Sequence, residues 1–85
     1  MTIHSPKRIG PDGPTDDLKS DDLLVMYTIE YEGLTMENLG IAVLALLTAI
    51  PDDYVWSKPM IYAKDDTGVI HMEGLKRKVF ESAQS

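Results

Sequence analysis

The sequence contains no cysteine, and its 85 residues include one tryptophan and one phenylalanine. The absence of cysteine excludes disulfides, thiolate metal ligands and thiol nucleophiles. A chain of this length has room for one hydrophobic core, and it buries a smaller share of its surface than a larger domain does. We therefore expect a single domain whose stability comes from packing or from a partner.

Long apolar runs are also missing from the chain. The longest run, residues 39–50, is shorter than the roughly 20 residues that a helix needs to cross a membrane. The basic residues near the amino terminus are not followed by the apolar segment of a secretory signal. These features predict a cytoplasmic protein without a membrane partner.

Positive charge is scarce, with eight Lys and Arg against fourteen Asp and Glu and a formal net charge of −6. The central residues 23–62 contain five acidic residues and one basic residue, Lys58. Proteins that bind nucleic acids usually carry a basic face that displaces counterions from the phosphates. Direct nucleic-acid binding is therefore not expected. A protein partner with a basic surface is expected instead.

Residues 1–21 differ in composition from the rest of the chain. They hold three of the five prolines and two of the six glycines, with few apolar residues. Such a segment buries too little apolar surface to offset the entropy lost on ordering. We expect a flexible, extended arm at 1–21 followed by a single α+β domain at 22–85.

The first part of this domain predicts a strand and a helix. Apolar residues alternate from Leu23 to Tyr31, which is typical of a strand with one buried face. The next apolar segment predicts a helix from Thr35, as its cap, to about Ile50, where Pro51 ends it.

The remaining residues predict a hairpin and a short helix. Residues 60–64 and 69–73 have strand patterns, and the turn between them ends at Gly68, which we expect to supply a positive φ angle. Residues 75–83 predict a short amphipathic helix. The whole pattern predicts an α+β fold in which a small antiparallel sheet of about three strands packs on one long apolar helix, preceded by an extended arm.

The predicted long helix is apolar over most of its circumference and therefore needs a second surface to cover it. Its small residues Ala42, Ala45 and Ala49 would let another backbone approach closely, and they form a candidate oligomer face. Either another segment of this chain covers that side, or a second chain does. The second alternative implies a homodimer, a higher oligomer or a stable complex with a target.

The segment after this helix holds the candidate partner-binding residues Asp52, Asp53, Tyr54 and Trp56. Aromatic side chains are favoured at protein interfaces because they bring a large contact area at low entropy cost. Two carboxylates at the negative end of a helix dipole are slightly unfavourable, which hints at a basic partner. The alternative is that Trp56 folds back onto the core of its own domain.

No motif for catalysis, metal binding or cofactor binding is recognisable. The two histidines, His4 and His71, lack the spacing of a zinc site. Residues 65–68 share Asp and Gly with a calcium loop but lack its alternating ligands and its distant glutamate. No phosphate-binding loop and no nucleophile elbow are found. We therefore expect no enzyme activity, no metal and no cofactor.

Three functions are compatible with these features. The first is a small acidic module that binds another protein and inhibits or adapts it, broadly similar to small proteins of phages and mobile elements that act against host defence or regulation. The second is a structural or assembly subunit, as in a virion, whose arm wraps a neighbour. The third is a small-ligand or nucleotide-binding protein with a site between protomers, lined by Tyr54, Trp56 and Tyr62.

Overall fold

The computed structural model describes residues 2–33 and 35–84. These residues form one antiparallel sheet of seven strands, two α-helices and a short 3-10 turn at Met36–Asn38. The strands are β1 (Thr2–Ile3), β2 (Lys7–Gly10), β3 (Gly13–Thr15), β4 (Leu24–Glu32), β5 (Tyr54–Trp56), β6 (Met60–Lys64) and β7 (Thr67–Lys76). The helices are α1 (Leu39–Ala49) and α2 (Arg77–Gln84).

The two long strands β4 and β7 form the centre of the sheet. They pair along their whole length, from Leu24 opposite Leu75 to Glu32 opposite Thr67. β2 and β1 lie one after the other along the free side of β4, and β3 pairs with β2. β5 and β6 lie in the same way along the free side of β7. Each side of the sheet thus ends in short strands.

The prediction of about three strands on one long helix, preceded by an extended arm, is wrong. The described residues form seven antiparallel strands, and the longer helix, α1, has 11 residues. The difference arises mainly at the amino terminus, because residues 2–15 supply β1, β2 and β3. The fold is therefore mostly sheet, with α1 on one face. Whether 1–21 and 22–85 behave as separate units stays a prediction.

Glycine and proline near the amino terminus build a hairpin. Gly10 and Gly13 are paired at the ends of β2 and β3, and Gly13 has a φ of 104°, which side chains rarely adopt. Pro14 lies in β3, the outermost strand, where a missing N–H removes no hydrogen bond from the sheet. These residues therefore lie at the turn and in the outer strand of a hairpin, although a disordered arm has the same composition.

The core lies between α1 and one face of the sheet. Between Val25 and Tyr31 the odd-numbered residues are buried as predicted, and of the even-numbered ones Thr28 is buried as well. Leu23 departs from the predicted alternation, since it precedes β4 and is exposed. The buried apolar residues are Val25, Tyr27, Ile29, Tyr31, Leu39, Ala42, Leu46, Ile50, Tyr54, Ile70 and Met72.

The helix α1 begins later than the sequence pattern predicts. Residues 36–38 form the 3-10 turn, and the α-helix starts after Asn38, whose side chain makes no capping hydrogen bond. Thr35 contributes its backbone carbonyl, which accepts a hydrogen bond from the Asn38 N–H at 3.0 Å. The predicted end is confirmed, because Ile50 is extended and Pro51 follows it.

The predicted hairpin is confirmed at 60–64, whereas its second strand, β7, is longer than expected. Its turn has two residues, and Asp65 rather than Gly68 has the positive φ, at 56°. Asp tolerates this conformation better than most side chains, so the turn closes before Gly68 is reached. β7 then continues through Lys76, and α2 starts at Arg77 rather than at 75.

Candidate protein-binding surfaces

The outer face of α1, defined here as Ile41, Leu44 and Leu47, is apolar and exposed. The exposed fractions of these side chains are 47%, 64% and 44%. Their spacing of three places them on one side of the helix, away from the buried Leu46. α1 contains no charged residue, and the hydroxyl of Thr48 donates to the Leu44 carbonyl at 2.7 Å. The helix therefore offers water few polar side-chain groups.

Acidic residues lie just before and just after α1 in the chain. Glu37 is exposed just before the helix, and Asp52 and Asp53 are exposed just after it. In the sequence, residues 20–57 contain seven acidic residues and no Lys or Arg. The apolar helix is thus flanked in the chain by exposed acidic residues.

Asp53, one of the candidate partner-binding residues, forms an ion pair inside the chain. Its carboxylate accepts a hydrogen bond from the ammonium group of Lys76. This hydrogen bond lowers the pKa of Asp53 and raises the pKa of Lys76. The same ammonium lies 4.8 Å from the centre of the Tyr54 ring, and the Arg77 N–H donates to the Asp53 carbonyl. Asp53 thus joins the start of β5 to the end of β7.

The Asp53–Lys76 pair makes stability depend on pH. Because the folded-state pKa of Asp53 lies below its ordinary value of 3.8, the pair contributes fully above that pH and is lost as the pH falls below it. We expect Asp53→Asn to flatten the loss of stability that sets in as the pH falls below 3.8, measured as the midpoint of urea unfolding.

Asp52→Asn is the matched control for this prediction. The Asp52 carboxylate takes part in none of the four ion pairs found in the described part of the chain. We expect this variant to follow the acid dependence of the parent protein. Superimposable curves for Asp53→Asn and the parent protein would show that the pair does not stabilise the fold.

Tyr54 and Trp56 pack within the chain. Tyr54 is buried, and its single hydroxyl proton is shared between the carbonyl oxygens of Ser20 and Asp22, which lie 3.0 and 2.8 Å from the hydroxyl oxygen. The Trp56 ring lies 5.4 Å from the Tyr27 ring, edge to face, and also 5.4 Å from the Tyr54 ring. Trp56 therefore folds back onto the core, as the alternative interpretation had it.

Tyr27 completes this aromatic group. Its hydroxyl donates to the Leu18 carbonyl, and burial raises its pKa. Together with Tyr54, it holds the segment that leads from β3 into β4. The cluster of Tyr27, Tyr54 and Trp56 is thus a structural junction between the amino-terminal strands and the rest of the sheet.

Of the four candidate partner-binding residues, Asp52 alone is both exposed and outside the ion pairs found in the described residues. Its carbonyl oxygen lies 3.4 Å from a guanidinium nitrogen of Arg77, which donates to it. A role for Asp52, Asp53, Tyr54 and Trp56 in binding a partner stays a prediction.

The candidate oligomer face does not form one exposed stripe. Ala42 is fully buried, Ala45 is partly buried against the core and Ala49 is exposed. An oligomer contact through these three residues stays a prediction. The sequence indicates no binding role for Leu44 or Leu47, because a helix that is apolar over most of its circumference gives no signal for which side faces the sheet.

β6 forms part of the second exposed surface. Its five residues are all exposed, and among the described strands it pairs with β7 alone. Met60, Ile61 and Tyr62 are large apolar residues on this edge, and Tyr62 is the most exposed of them. A shallow groove of about 680 Å³ lies beside Tyr62 and Lys64 and reaches Glu30 and Glu32. An exposed apolar edge strand is a template for pairing with another chain.

The residues proposed for a small-ligand site are not brought together. Tyr54 and Trp56 belong to the core face, whereas Tyr62 pairs with Val69 on the opposite face, with its ring 5.5 Å from that of His71. The Nε2 atom of the other histidine, His4, lies 3.9 Å from Oε2 of Glu32. In the described residues, no group of three or more His, Asp or Glu side chains is arranged to hold a metal ion.

Neither of the two helices in residues 2–33 and 35–84 has the length and apolarity that a membrane span requires. Comparison of the chain with protein-family models, with curated proteins and with solved structures finds no match.

Proposed function

We propose that this protein is a small, non-enzymatic, acidic module that binds another protein through the outer face of α1 and thereby inhibits or adapts it. The observation that carries this proposal is the exposure of three large apolar side chains on a helix without charged residues. Fully burying one such side chain stabilises a complex by about 1.5–3 kcal/mol, and a half-exposed one by roughly half of that. Three adjacent side chains therefore form an energetic centre for an interface.

The charges around this face indicate the chemistry of the partner. Interfaces commonly have an apolar centre and a polar rim, and the residues that flank α1 in the chain include the exposed acids Glu37 and Asp52, which are outside the ion pairs found in the described residues. A partner that fits has an apolar cleft bordered by Lys or Arg. Such a pair associates faster at low salt, because complementary charges steer the encounter.

Leu44 provides the direct test, because it is the most exposed residue of the outer face of α1. The untagged protein would be used to isolate its partner from the native host, and the dissociation constant of the purified pair would then be measured. We expect Leu44→Asp to raise the dissociation constant at least tenfold, which corresponds to about 1.4 kcal/mol. Repetition at low and high salt tests the role of Glu37 and Asp52.

Leu23→Asp is the matched control, since Leu23 is also exposed but precedes β4 and lies outside α1. We expect this variant to bind like the parent protein. Equal affinity of the parent protein and Leu44→Asp for the partner would exclude the outer face of α1 as the binding surface, and a host without any binding protein would exclude the function.

The other two functions stay predictions. For the assembly subunit, the segment expected to wrap a neighbour pairs instead with β4 of its own chain through β1 and β2. For the ligand-binding protein, Tyr62 is separated from Tyr54 and Trp56 by the sheet. The described residues therefore provide neither function with a supporting contact.

A further inference from the structure

The backbone groups of β4 are divided between two neighbours. The Glu30 carbonyl accepts a hydrogen bond from the His4 N–H at 2.9 Å, whereas the N–H of Gly33, just after β4, donates to the Asp66 carbonyl at 2.7 Å, in the turn that leads into β7. Because these groups alternate in direction along a strand, the even-numbered residues 26–32 direct them toward β1 and β2, and the odd-numbered ones toward β7. One strand therefore reports on both of its neighbours.

Residues 2–22, here called the amino-terminal unit, add little to the core. The buried apolar residues of the described chain all lie between Val25 and Met72. Among the described residues of the unit, Ile3 and Leu18 alone pack against this core, and both are only partly buried. Segments with few buried apolar contacts open at a lower free energy than the core does.

Polar contacts connect the unit to itself. The Lys7 ammonium nitrogen lies 2.8 Å from a carboxylate oxygen of Asp16, and the Nε–H of Arg8 donates to the Asp17 carbonyl at 2.9 Å. Among the described strands, β3 pairs with β2 alone. When β2 leaves β4, β3 and the residues after it therefore move with it.

Two tyrosine hydroxyls hold the unit to the rest of the protein. The hydroxyls of Tyr27 and Tyr54 bond to backbone carbonyl oxygens within residues 18–22. The next residue already belongs to the main sheet, because the Leu23 carbonyl accepts a hydrogen bond from the Lys76 N–H at 2.8 Å. The boundary of the unit thus lies between these contacts.

We propose that the amino-terminal unit opens as a whole while the remaining strands and α1 stay folded, with Leu23 as the hinge and the two tyrosine hydroxyls as the latch. Opening breaks the pairs that β4 makes with β1 and β2, and it uncovers the edge of β4 from Met26 to Glu32. A strand edge without a neighbour is a template for pairing. The unit is therefore a strap that covers the edge of a central strand.

Hydrogen exchange of single amides, followed by NMR under native conditions, tests this opening. The N–H groups of Met26 and Thr28 lose their partners when the unit opens, whereas those of Tyr27 and Ile29 stay bonded to β7. After correction for intrinsic rates, we expect the first pair to exchange at least about a hundredfold faster than the second. Equal rates would overturn the proposal, since all four amides lie on the same strand.

Tyr54→Phe tests the latch, because it removes one hydroxyl and leaves the ring. We expect it to speed the exchange of Met26 and Thr28 about threefold to tenfold, as the loss of one hydrogen bond implies. Tyr62→Phe is the matched control, since Tyr62 is exposed on β6, and it should change neither rate. An unchanged rate at Met26 and Thr28 in Tyr54→Phe would show that this hydroxyl is not part of the latch.

Ile70→Val distinguishes opening of the unit from unfolding of the whole protein. Ile70 is fully buried in β7, and its contacts persist in the open form. We therefore expect this variant to speed exchange at Tyr27 and Ile29 about twofold to tenfold and to leave Met26 and Thr28 unchanged. If all four amides exchange faster by the same factor, the unit opens only when the whole protein unfolds, and the proposal is wrong.

Discussion

Replacing Gly74 by alanine is expected to destabilise the protein by about 1–3 kcal/mol, the usual cost of forcing extra atoms into a packed core. A Cβ atom at this position would lie 2.5 Å from Cζ3 and 2.7 Å from Cε3 of the Trp56 ring, which is closer than real atoms approach. The ring also contacts Tyr27 and Tyr54, so it is held on both sides. Room for one methyl group therefore requires the aromatic cluster to open.

Gly40→Ala is the same chemical change in an open environment. It lies in α1, and a Cβ atom there would meet nothing within 4 Å. Alanine in a helix is more stable than glycine by about 1 kcal/mol, so this variant should be stabilised. Urea unfolding followed by the fluorescence of Trp56, the single tryptophan, measures both variants.

The contact between Gly74 and Trp56 predicts strong coupling between the two positions. In a Trp56→Leu background, followed by circular dichroism, we expect Gly74→Ala to lose most of its cost, because the smaller side chain leaves space for the methyl group. If Gly74→Ala is no more destabilising than Gly40→Ala, or if its cost is unchanged by Trp56→Leu, the close packing of the ring on β7 is wrong.

Local patterns predicted part of this fold well. β6 was predicted with its observed ends, and the core face of β4 follows from the alternation of the odd-numbered residues 25–31. Both features depend on neighbouring residues: a period of two for β4, and turn residues with a tolerance for positive φ for the hairpin. The end of α1 at Pro51 has a similarly local cause.

The strands at the amino terminus have a cause that lies far along the sequence. β2 is stabilised by pairing with residues 26–28 of β4, and this partner is invisible when residues 1–21 are considered alone. A hairpin that contains Pro11 and Pro14 has the composition of a disordered arm. Residues 7–15 form a hairpin rather than a disordered arm because β4 offers β2 a free edge for pairing.

The candidate surfaces were hidden for a related reason. α1 is apolar over most of its circumference, so packing against the sheet, rather than the helix pattern, decides that Ala42 is buried and Leu44 exposed. The exposure of β6 depends on the order of strands in the sheet, which hairpin signals do not specify. The sequence leaves two roles open for Trp56. Its contact with Gly74 depends on the register between β5 and β7, which the sequence pattern does not give.

Leu46→Ala and Leu44→Ala should separate the inner and outer faces of α1. Leu46 is fully buried, and its truncation is expected to cost about 2–5 kcal/mol, because the transfer of the lost atoms and the cavity both count. Leu44 is mostly exposed, and the same truncation should change the free energy of unfolding by less than about 0.5 kcal/mol.

The free energy of unfolding in urea measures this difference, and the two variants share the same helix and the same chemical change. A large loss at Leu44 would show that its side chain is buried in the isolated protein, and the outer face of α1 would then be unavailable to a partner. A small loss at Leu46 would show that α1 is rotated on the sheet. We expect stability to depend on Leu46 and to change little at Leu44. The unfavourable exposure of the Leu44 side chain to water in the free protein would then be offset when a partner covers it.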